Sequence, residues 1–319
     1  MNDYIAWLDA PKGAGAARIG GKGASLARLG GAGFPVPPGF AVTVEAYRAF
    51  HDDHGLDHSL AALLAISGRP TAAEVREACT PIAERLAGSQ LPDRVRASVA
   101  AAFDHLDTRT PPTSTYAVRS SGVSEDGVSA SFAGLYETYL NLSTSEEVLD
   151  ALHKCYHSLW EPRAAHYRAI KGIDHRKEAM GVVVMETVRS VASGVAFTLN
   201  PITGATDEIL INSSWGLGEA VVSGIVTPDN YLVGKDGSLR QRDISHKEAQ
   251  VVPVAGGTET QPVPAARVNV SSLSDEQVRQ VAETAAAVER YYECPVDIEF
   301  AYDPDGRFFL LQARPVTTR

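Results

Sequence analysis

Arg119 stands at the mouth of RSSGVSEDGVSASFAG, residues 119–134, a run of hydroxyls and glycines between two strand-like segments. A guanidinium can grip two phosphate oxygens in a fork, and Ser120, Ser121, Ser129 and Ser131 can donate to the same group. Gly122, Gly127 and Gly134 allow such a loop to fold tightly over a ligand. The acids Glu125 and Asp126 suit the edge or cap of a lid better than a phosphate contact. A polar surface loop is the competing explanation, but it gives no reason for an arginine ending the apolar run TYAV.

Lys22 lies in GGKGAS, residues 20–25. A lysine among glycines at a helix start is a phosphate-binding arrangement, because backbone N–H groups approach closely and the ammonium neutralises charge. The stretch is not a P-loop, which needs a glycine five residues before the Gly-Lys pair and Ser or Thr after it. A flexible turn with a solvated lysine is the alternative. Glu299 interrupts the apolar run VDIEFAY and Gln312 interrupts FFLLQA, on either side of a DPDG turn near residue 305. Antiparallel pairing across that turn sets the two almost opposite each other. A carboxylate and an amide oxygen side by side suit Mg²⁺, which takes few protein oxygens and leaves the rest to phosphates and water. Arg314 follows Gln312 by two residues and shares its strand face. A solvated cross-strand polar pair would look the same in sequence.

Weaker signals complete the set. The glycines of SWGLGEAVVSG, residues 214–224, do not fit a dinucleotide fingerprint and read as a tight turn near a ligand. His51, His54 and His58 read as a solvated helix end. His153 and His157, one turn apart with no carboxylate pattern, read as a surface helix face.

These residues need elements to position them. The periodicity predicts a short helix within the Gly- and Pro-rich residues 12–39, and amphipathic helices near 43–54, 72–88 and 91–106. A loop at 107–114 precedes the strand, loop and strand around Arg119. A long helix is expected from about Ser145 to Lys171. Strands follow at 179–188, 193–198 and 207–214, then a hairpin over 229–243 around Asp236-Gly237. The signal SDEQ opens a helix from about Ser274 to Tyr292, and two strands flank the DPDG turn. The mixture is α+β with largely antiparallel strands rather than a regular βαβ alternation.

Length and composition set outer limits. At 319 residues the chain can hold two domains, and 44% hydrophobic content is ordinary for a globular protein. A net charge of −10 argues against broad nucleic-acid or anionic-membrane binding. Three cysteines without CxxC spacing argue against a disulfide framework or a structural zinc. No run approaches the roughly 20 apolar residues of a membrane span, and the N-terminus lacks a signal pattern. The expectation is a cytoplasmic, reduced protein without nucleic-acid or membrane partners.

Taken in order, the motifs resemble one family. GGKGASLARLGGAGFPVPPGFAVT, YAVRSSGVSEDGVSASFAGLYETYLN, SGVAFTLNPITG, INSSWGLGEAVVSGIVTPDNY and VDIEFAYDPDGRFFLLQARPVT are similar to the N-terminal nucleotide-binding region of phosphoenolpyruvate synthase, pyruvate phosphate dikinase and rifampicin phosphotransferase. They span residues 20–318. The resemblance implies an ATP-grasp-like α+β fold in which two subdomains, expected over 1–184 and 185–319, close on ATP. It implies that Lys22 and Arg119 contact phosphates, covered by a small loop through Ala133 and Gly134 with Thr138. Met185 to Val188 would hold adenine, with Glu186 taking its amino group. Glu299 and Gln312 would hold Mg²⁺, and Arg314 would face the reacting phosphates.

Two departures qualify this. Family members often carry Gln where Met185 stands. The three-domain enzymes also use a swivelling domain whose phospho-accepting histidine lies in a Thr-His-Gly-type motif, and none of the nine histidines here has that context. The expectation is therefore an ATP- and Mg²⁺-dependent phosphotransferase, a free-standing unit acting on a small-molecule or peptide acceptor. The alternatives are the ATP-binding half of a split or multidomain enzyme that phosphorylates a histidine on a separate domain, and a nucleotide-binding sensor without turnover.

Overall fold

The structure, a computed structural model, describes residues 3–10, 14–66, 68–124, 137–222, 224–254 and 257–316. The chain forms two compact units, Met1–Ala32 with Pro38–Glu186 and Gly33–Pro37 with Thr187–Arg319. The short piece Gly33–Pro37 joins the second unit through a backbone bond from the Leu310 N–H to the Pro35 carbonyl (2.8 Å) and a ring contact between Phe34 and Tyr291. No helix among the described residues is long and apolar enough to cross a membrane.

The first unit runs β1 (Ile5–Trp7), α1 (Ala16–Gly31), β2 (Gly39–Val42), α2 (Val44–Asp53), α3 (Leu56–Ser59), α4 (Ala61–Leu64), α5 (Ala72–Leu86), α6 (Asp93–Asp107), β3 (Tyr116–Gly122), β4 (Thr138–Leu142), α7 (Ser145–Ser158), α8 (Pro162–Lys171) and β5 (Met180–Glu186), with a 3₁₀ turn at His175–Lys177. The strands form one antiparallel sheet in the order β1-β2-β5-β3-β4. Alternation divides its faces. Phe40, Val42, Tyr116, Val118, Val182 and Val184 join an apolar cluster with helical residues such as Phe50, Ile82, Phe103 and Leu152. Ala117, Arg119 and Ser121 point to the opposite face, against which α1 packs.

The helix expected from Ser145 to Lys171 is two helices. Pro162 has no N–H to give to residue 158, and its ring would clash with that carbonyl. The chain therefore leaves α7 at Ser158, turns extended at Glu161 (φ −60, ψ 142), and restarts with Pro162 in the first turn of α8, where proline is tolerated. Three capping boxes mark other starts. Thr71 pairs with Glu74, Thr144 with Glu147, and Ser274 with Gln277, as the SDEQ signal requires.

The second unit runs β6 (Ala192–Phe197), β7 (Glu208–Trp215), α9 (Glu219–Val222), β8 (Asp229–Gly234), β9 (Leu239–Asp243), β10 (Ala249–Val254), β11 (Gly257–Pro262), α10 (Asp275–Tyr292), β12 (Val296–Tyr302) and β13 (Phe308–Pro315). Six strands form an antiparallel sheet in the order β13-β12-β6-β7-β8-β9, and β10 pairs with β11 separately. Val296, Ile298, Phe300 and Tyr302 are buried on one face. The Tyr302 hydroxyl bonds the Gln277 carbonyl (3.1 Å) and Gln280 Oε1 (2.9 Å), which fixes α10 on that side. Asp297 and Glu299 therefore point to the other face.

A buried ion pair fastens the long connections of this unit. Lys247 and Asp229 are both fully buried, with Lys247 Nζ 2.5 Å from Asp229 Oδ1. The same carboxylate accepts from the Ser245 N–H (2.9 Å), the Ser272 N–H (2.7 Å) and the Ser272 hydroxyl (2.8 Å), so its lone pairs are satisfied. Removing one partner leaves the other charge buried and uncompensated, which costs far more than the intact pair contributes. Lys247→Ala is expected to lower unfolding stability by about 3–5 kcal/mol, read as a shift in urea midpoint. A midpoint within error of the parent would show that the pair does not hold these connections.

Candidate functional site

The start of α1 is bent onto the sheet by glycine. Gly20 sits at φ 71, ψ 173 inside the helical run. A Cβ there would lie 1.8 Å from the Ser121 carbonyl oxygen, and a Cβ on Gly181 would lie 2.5 Å from the Ile19 backbone. Only glycine permits either approach. The Ser121 hydroxyl closes the contact. It donates to the Ile19 carbonyl (2.9 Å) and accepts from the Gly23 N–H (3.0 Å), one group on each side of the bend. The helix thus restarts at Gly21 with Lys22 in its first turn, and Lys22 Nζ donates to the Ser120 carbonyl (3.2 Å). Arg119 precedes that residue on β3, half-buried, with Thr138 and Val183 opposite it on the flanking strands. Lys22, Arg119 and Thr138 are therefore brought to one stretch of β3, and two cations there suit a polyanion.

The serines have other partners. The Ser120 hydroxyl donates to the Glu137 carbonyl (2.9 Å), and Ser121 is committed to α1. Ala133 and Gly134 lie outside the described residues, as do Glu125, Asp126, Ser129 and Ser131. Met185 is buried at the end of β5, with Gly39 and Ala117 as register partners. The Glu186 carboxylate accepts from the Ser114 hydroxyl (2.6 Å), and its N–H goes to the Pro38 carbonyl (2.9 Å). Burial, with help from the Asp107 and Glu186 charges, pushes the neighbouring Tyr116 hydroxyl up to about 12. Val188 is buried, and its carbonyl accepts from the Ser190 N–H (2.8 Å). Between Glu186 and Val188, Thr187 has a buried hydroxyl with no hydrogen-bond partner among the described residues.

In the second unit, Glu299 on β12 and Gln312 on β13 are direct register partners, with Asp297 and Arg314 the same-face pair beside them. A β-bulge makes this possible. Phe308 and Leu310 face the core, so strict alternation would send Gln312 inward as well. The register shifts between Glu299 and Phe300 while Leu311 takes up the extra residue, and this turns Gln312 to the side of Glu299. Arg314 Nε donates to both Asp297 carboxylate oxygens (2.9 and 2.8 Å), which fixes its guanidinium. Among the described residues no group of three or more His, Cys, Asp or Glu could hold a metal. One carboxylate and one amide oxygen form a hard donor pair that fits a cation keeping most of its shell for water and phosphate.

Several residues of this face carry no motif. Asp297 orients Arg314, and alternation in VDIEF would have placed it beside Glu299. Continuing across the sheet, Glu299 pairs with Val195, Val195 with Asn212 and Asn212 with Asn230. Asn212 Nδ2 donates to Asn230 Oδ1 (2.5 Å), so one row of the open face ends in two amides. The stretch SWGLG is a tight turn. Gly216 has φ 81, its carbonyl accepts from the Ser193 hydroxyl (2.6 Å), and the Leu217 N–H reaches the Val251 carbonyl on β10 (2.8 Å).

A family model, the pyruvate phosphate dikinase AMP/ATP-binding domain, matches residues 16–319. The chain belongs to this family. A probable phosphoenolpyruvate synthase of Methanocaldococcus jannaschii is 39% identical over 318 residues, covering 99% of this chain and 27% of that protein. The phosphoenolpyruvate synthase of Pyrococcus furiosus is 36% identical, covering 99% of this chain and 44% of that protein. A rifampicin phosphotransferase of Streptomyces sp is 38% identical, covering 96% and 35%. The chain thus spans less than half the length of these curated relatives. Among solved structures, D-alanyl-alanine synthetase A of Vibrio cholerae aligns with 85% of this chain and 55% of that one, at 10% identity and a TM-score of 0.31. As a member of an AMP/ATP-binding family, the chain has a nucleotide as its ligand, and the phosphate-compatible cations of α1 and β3 fit that class.

Ser121 gives the test of how the Lys22 turn is held. Ser121→Ala strands a buried N–H and a buried carbonyl, each worth about 1–3 kcal/mol when left unpaired. The expected result is a loss of about 2 kcal/mol or more in urea unfolding, together with weaker ATP binding by calorimetry. Unchanged stability would show that the bend at Gly20 does not need the serine.

Proposed function

We propose that the chain is an ATP- and Mg²⁺-dependent phosphoryl-transfer unit of ATP-grasp type, acting on a small-molecule or peptide acceptor. The observation that carries the proposal is the register pair Glu299–Gln312 with the fixed Arg314 beside it. Lys22 and Arg119 bind the phosphates of ATP, and Ala133, Gly134 and Thr138 cover them. Ser120 ties the Glu137 backbone to the strand that carries Arg119. Met185, Glu186 and Val188 line the adenine, and the Thr187 hydroxyl, without a hydrogen-bond partner among the described residues, gives that segment a polar contact to offer. Glu299 and Gln312 would hold Mg²⁺, which when bound neutralises charge on the transferring phosphate.

Phosphoryl transfer asks for positioning and charge stabilisation more than for covalent chemistry by the protein. Arg314, held by Asp297, presents a guanidinium that need not reorganise as charge develops. Arg119 rises from a packed strand, so its stem is supported and its head directed. Its fork can hold two oxygens of one phosphate, whereas an ammonium is a point charge.

Arg119→Lys separates charge from geometry. ATP should still bind by calorimetry, because a cation and Lys22 remain. Turnover, with ADP and AMP followed separately, should fall on the order of 10²-fold, since a misplacement of about 1 Å costs that much. A normal rate would make Arg119 a structural strand-end charge.

Glu299→Ala and Gln312→Ala should lose turnover more than nucleotide affinity. Their contribution is greatest where charge concentrates in the transition state, and removing one preorganised group typically costs about 10²–10³-fold. Full activity in both variants at saturating Mg²⁺ would overturn the metal assignment.

A second reading has its own support. The relatives are two to four times longer than the aligned chain, which favours an acceptor histidine on a separate domain. The nucleotide product distinguishes the two. Direct transfer to an acceptor yields ADP, whereas a relay that splits two phosphates from ATP yields AMP.

A further inference from the structure

His153 and His157 of α7 do not form a solvated helix face. Both rings are half-buried, and they converge on Ser89 in the turn between α5 and α6. Ser89 Oγ lies 2.9 Å from His153 Nε2 and 3.3 Å from His157 Nε2, and the two Nε2 atoms are 3.2 Å apart. Three donor atoms thus form a nearly equilateral triangle. In a tetrahedral zinc site with Zn–N of about 2.0–2.1 Å, two ligand atoms stand about 3.3 Å apart. The triangle has the size of one face of that tetrahedron.

Protons fill the triangle less well than a cation would. A ring nitrogen is a donor or an acceptor, never both, so at most two of the three edges can carry a hydrogen bond. One cation seated just off the plane of the triangle lies within ligating distance of all three atoms.

We propose that Ser89, His153 and His157 form a binding site for a divalent d-block cation, with Zn²⁺ the best fit and water as the fourth ligand. Histidines at i and i+4 on one helix face are a known chelating geometry, and imidazole is a donor that zinc favours. The rings are prepared for it. Burial lowers the His153 pKa, with the Asp150 charge opposing and His54 and Lys154 adding to the shift. Burial, with His153 and His54, brings His157 down to about 4. Each ring ligates through Nε2 only in the tautomer whose single proton sits on Nδ1. No third His, Cys, Asp or Glu joins them among the described residues, so the site is weaker than a four-ligand structural zinc. A bound cation would tie α7 to the α5–α6 turn, independently of the nucleotide-binding residues.

The test is calorimetric titration of chelator-treated protein with Zn²⁺. The expected Kd is on the order of 10 µM, short of four-ligand sites. Saturation should raise Tm by about 5 °C at a hundredfold excess over Kd. His153→Gln with His157→Gln should weaken this binding by about 100-fold or more, and Ser89→Ala by about tenfold. Glu299→Ala with Gln312→Ala should leave it intact, which separates it from cation binding at that pair. A wild-type Kd above about 1 mM, or unchanged affinity in the double-histidine variant, overturns the site. Should the histidine variant fail to fold, Co²⁺ added to the wild type decides. Intense visible bands that excess Zn²⁺ abolishes support tetrahedral binding, and their absence overturns it.

Discussion

The Ser121 hydroxyl bridges the two sides of a bend, and the placement of Lys22 beside β3 depends on that bridge. Its proton goes to the Ile19 carbonyl and its lone pair takes the Gly23 N–H. Between these groups Gly20 adopts a left-handed φ that lets the chain touch the Ser121 backbone. A side chain at residue 20 would keep α1 away from β3, and Lys22 could not reach the Ser120 carbonyl. The proximity of Lys22 and Arg119, 97 residues apart in sequence, therefore rests on one hydroxyl and on the absence of two Cβ atoms, at Gly20 and Gly181. The polar contact fixes the register of the helix on the strand, and the glycines make the distance attainable.

A different device governs the second unit. α10 covers one face of its sheet, and Asp297, Glu299, Gln312 and Arg314 gather on the other. Strict alternation would have sent Gln312 into the core. The bulge at Leu311 moves it across, and Asp297 then fixes Arg314 in the adjacent pair. A sheet is well suited to this purpose because cross-strand neighbours lie about 5 Å apart on a rigid scaffold. The same face extends to Asn212 and Asn230, so the polar surface is wider than its motifs.

Polar groups also hold the irregular parts of the second unit. Asp229 and Lys247 are buried together because the carboxylate has enough further donors to complete its shell. The Gly216 turn is held to β10 by the Leu217 N–H bond to the Val251 carbonyl and to β6 by the Ser193 hydroxyl. Neither arrangement follows from hydrophobic periodicity. Each depends on the partner a polar atom finds once apolar surfaces have already packed.

Much of the organisation was legible without coordinates. Periodicity located α2, α5, α6 and α10 to within a few residues, because an apolar stripe records the face that must be buried. The SDEQ cap and the Asp236-Gly237 turn act within a few residues, and both stand where the sequence places them. Symmetry about the DPDG turn set Glu299 almost opposite Gln312, one residue short of the register that the bulge at Leu311 gives. Pro162 was in plain view, but the amphipathic pattern on both sides of it hid the break. The strands β1 and β2, and the Pro- and Gly-containing hairpin of β10 and β11, carry too short or too weak an alternation to stand out. Residue order alone settles local features: residue types, periods, caps and turns, together with motifs specific enough to name a family. Packing in three dimensions sets which hydroxyl is committed, which face of β13 Gln312 takes, and that Ser89 meets two histidines of α7. Those outcomes depend on packing between segments tens to a hundred residues apart, and no local pattern encodes the distance between them.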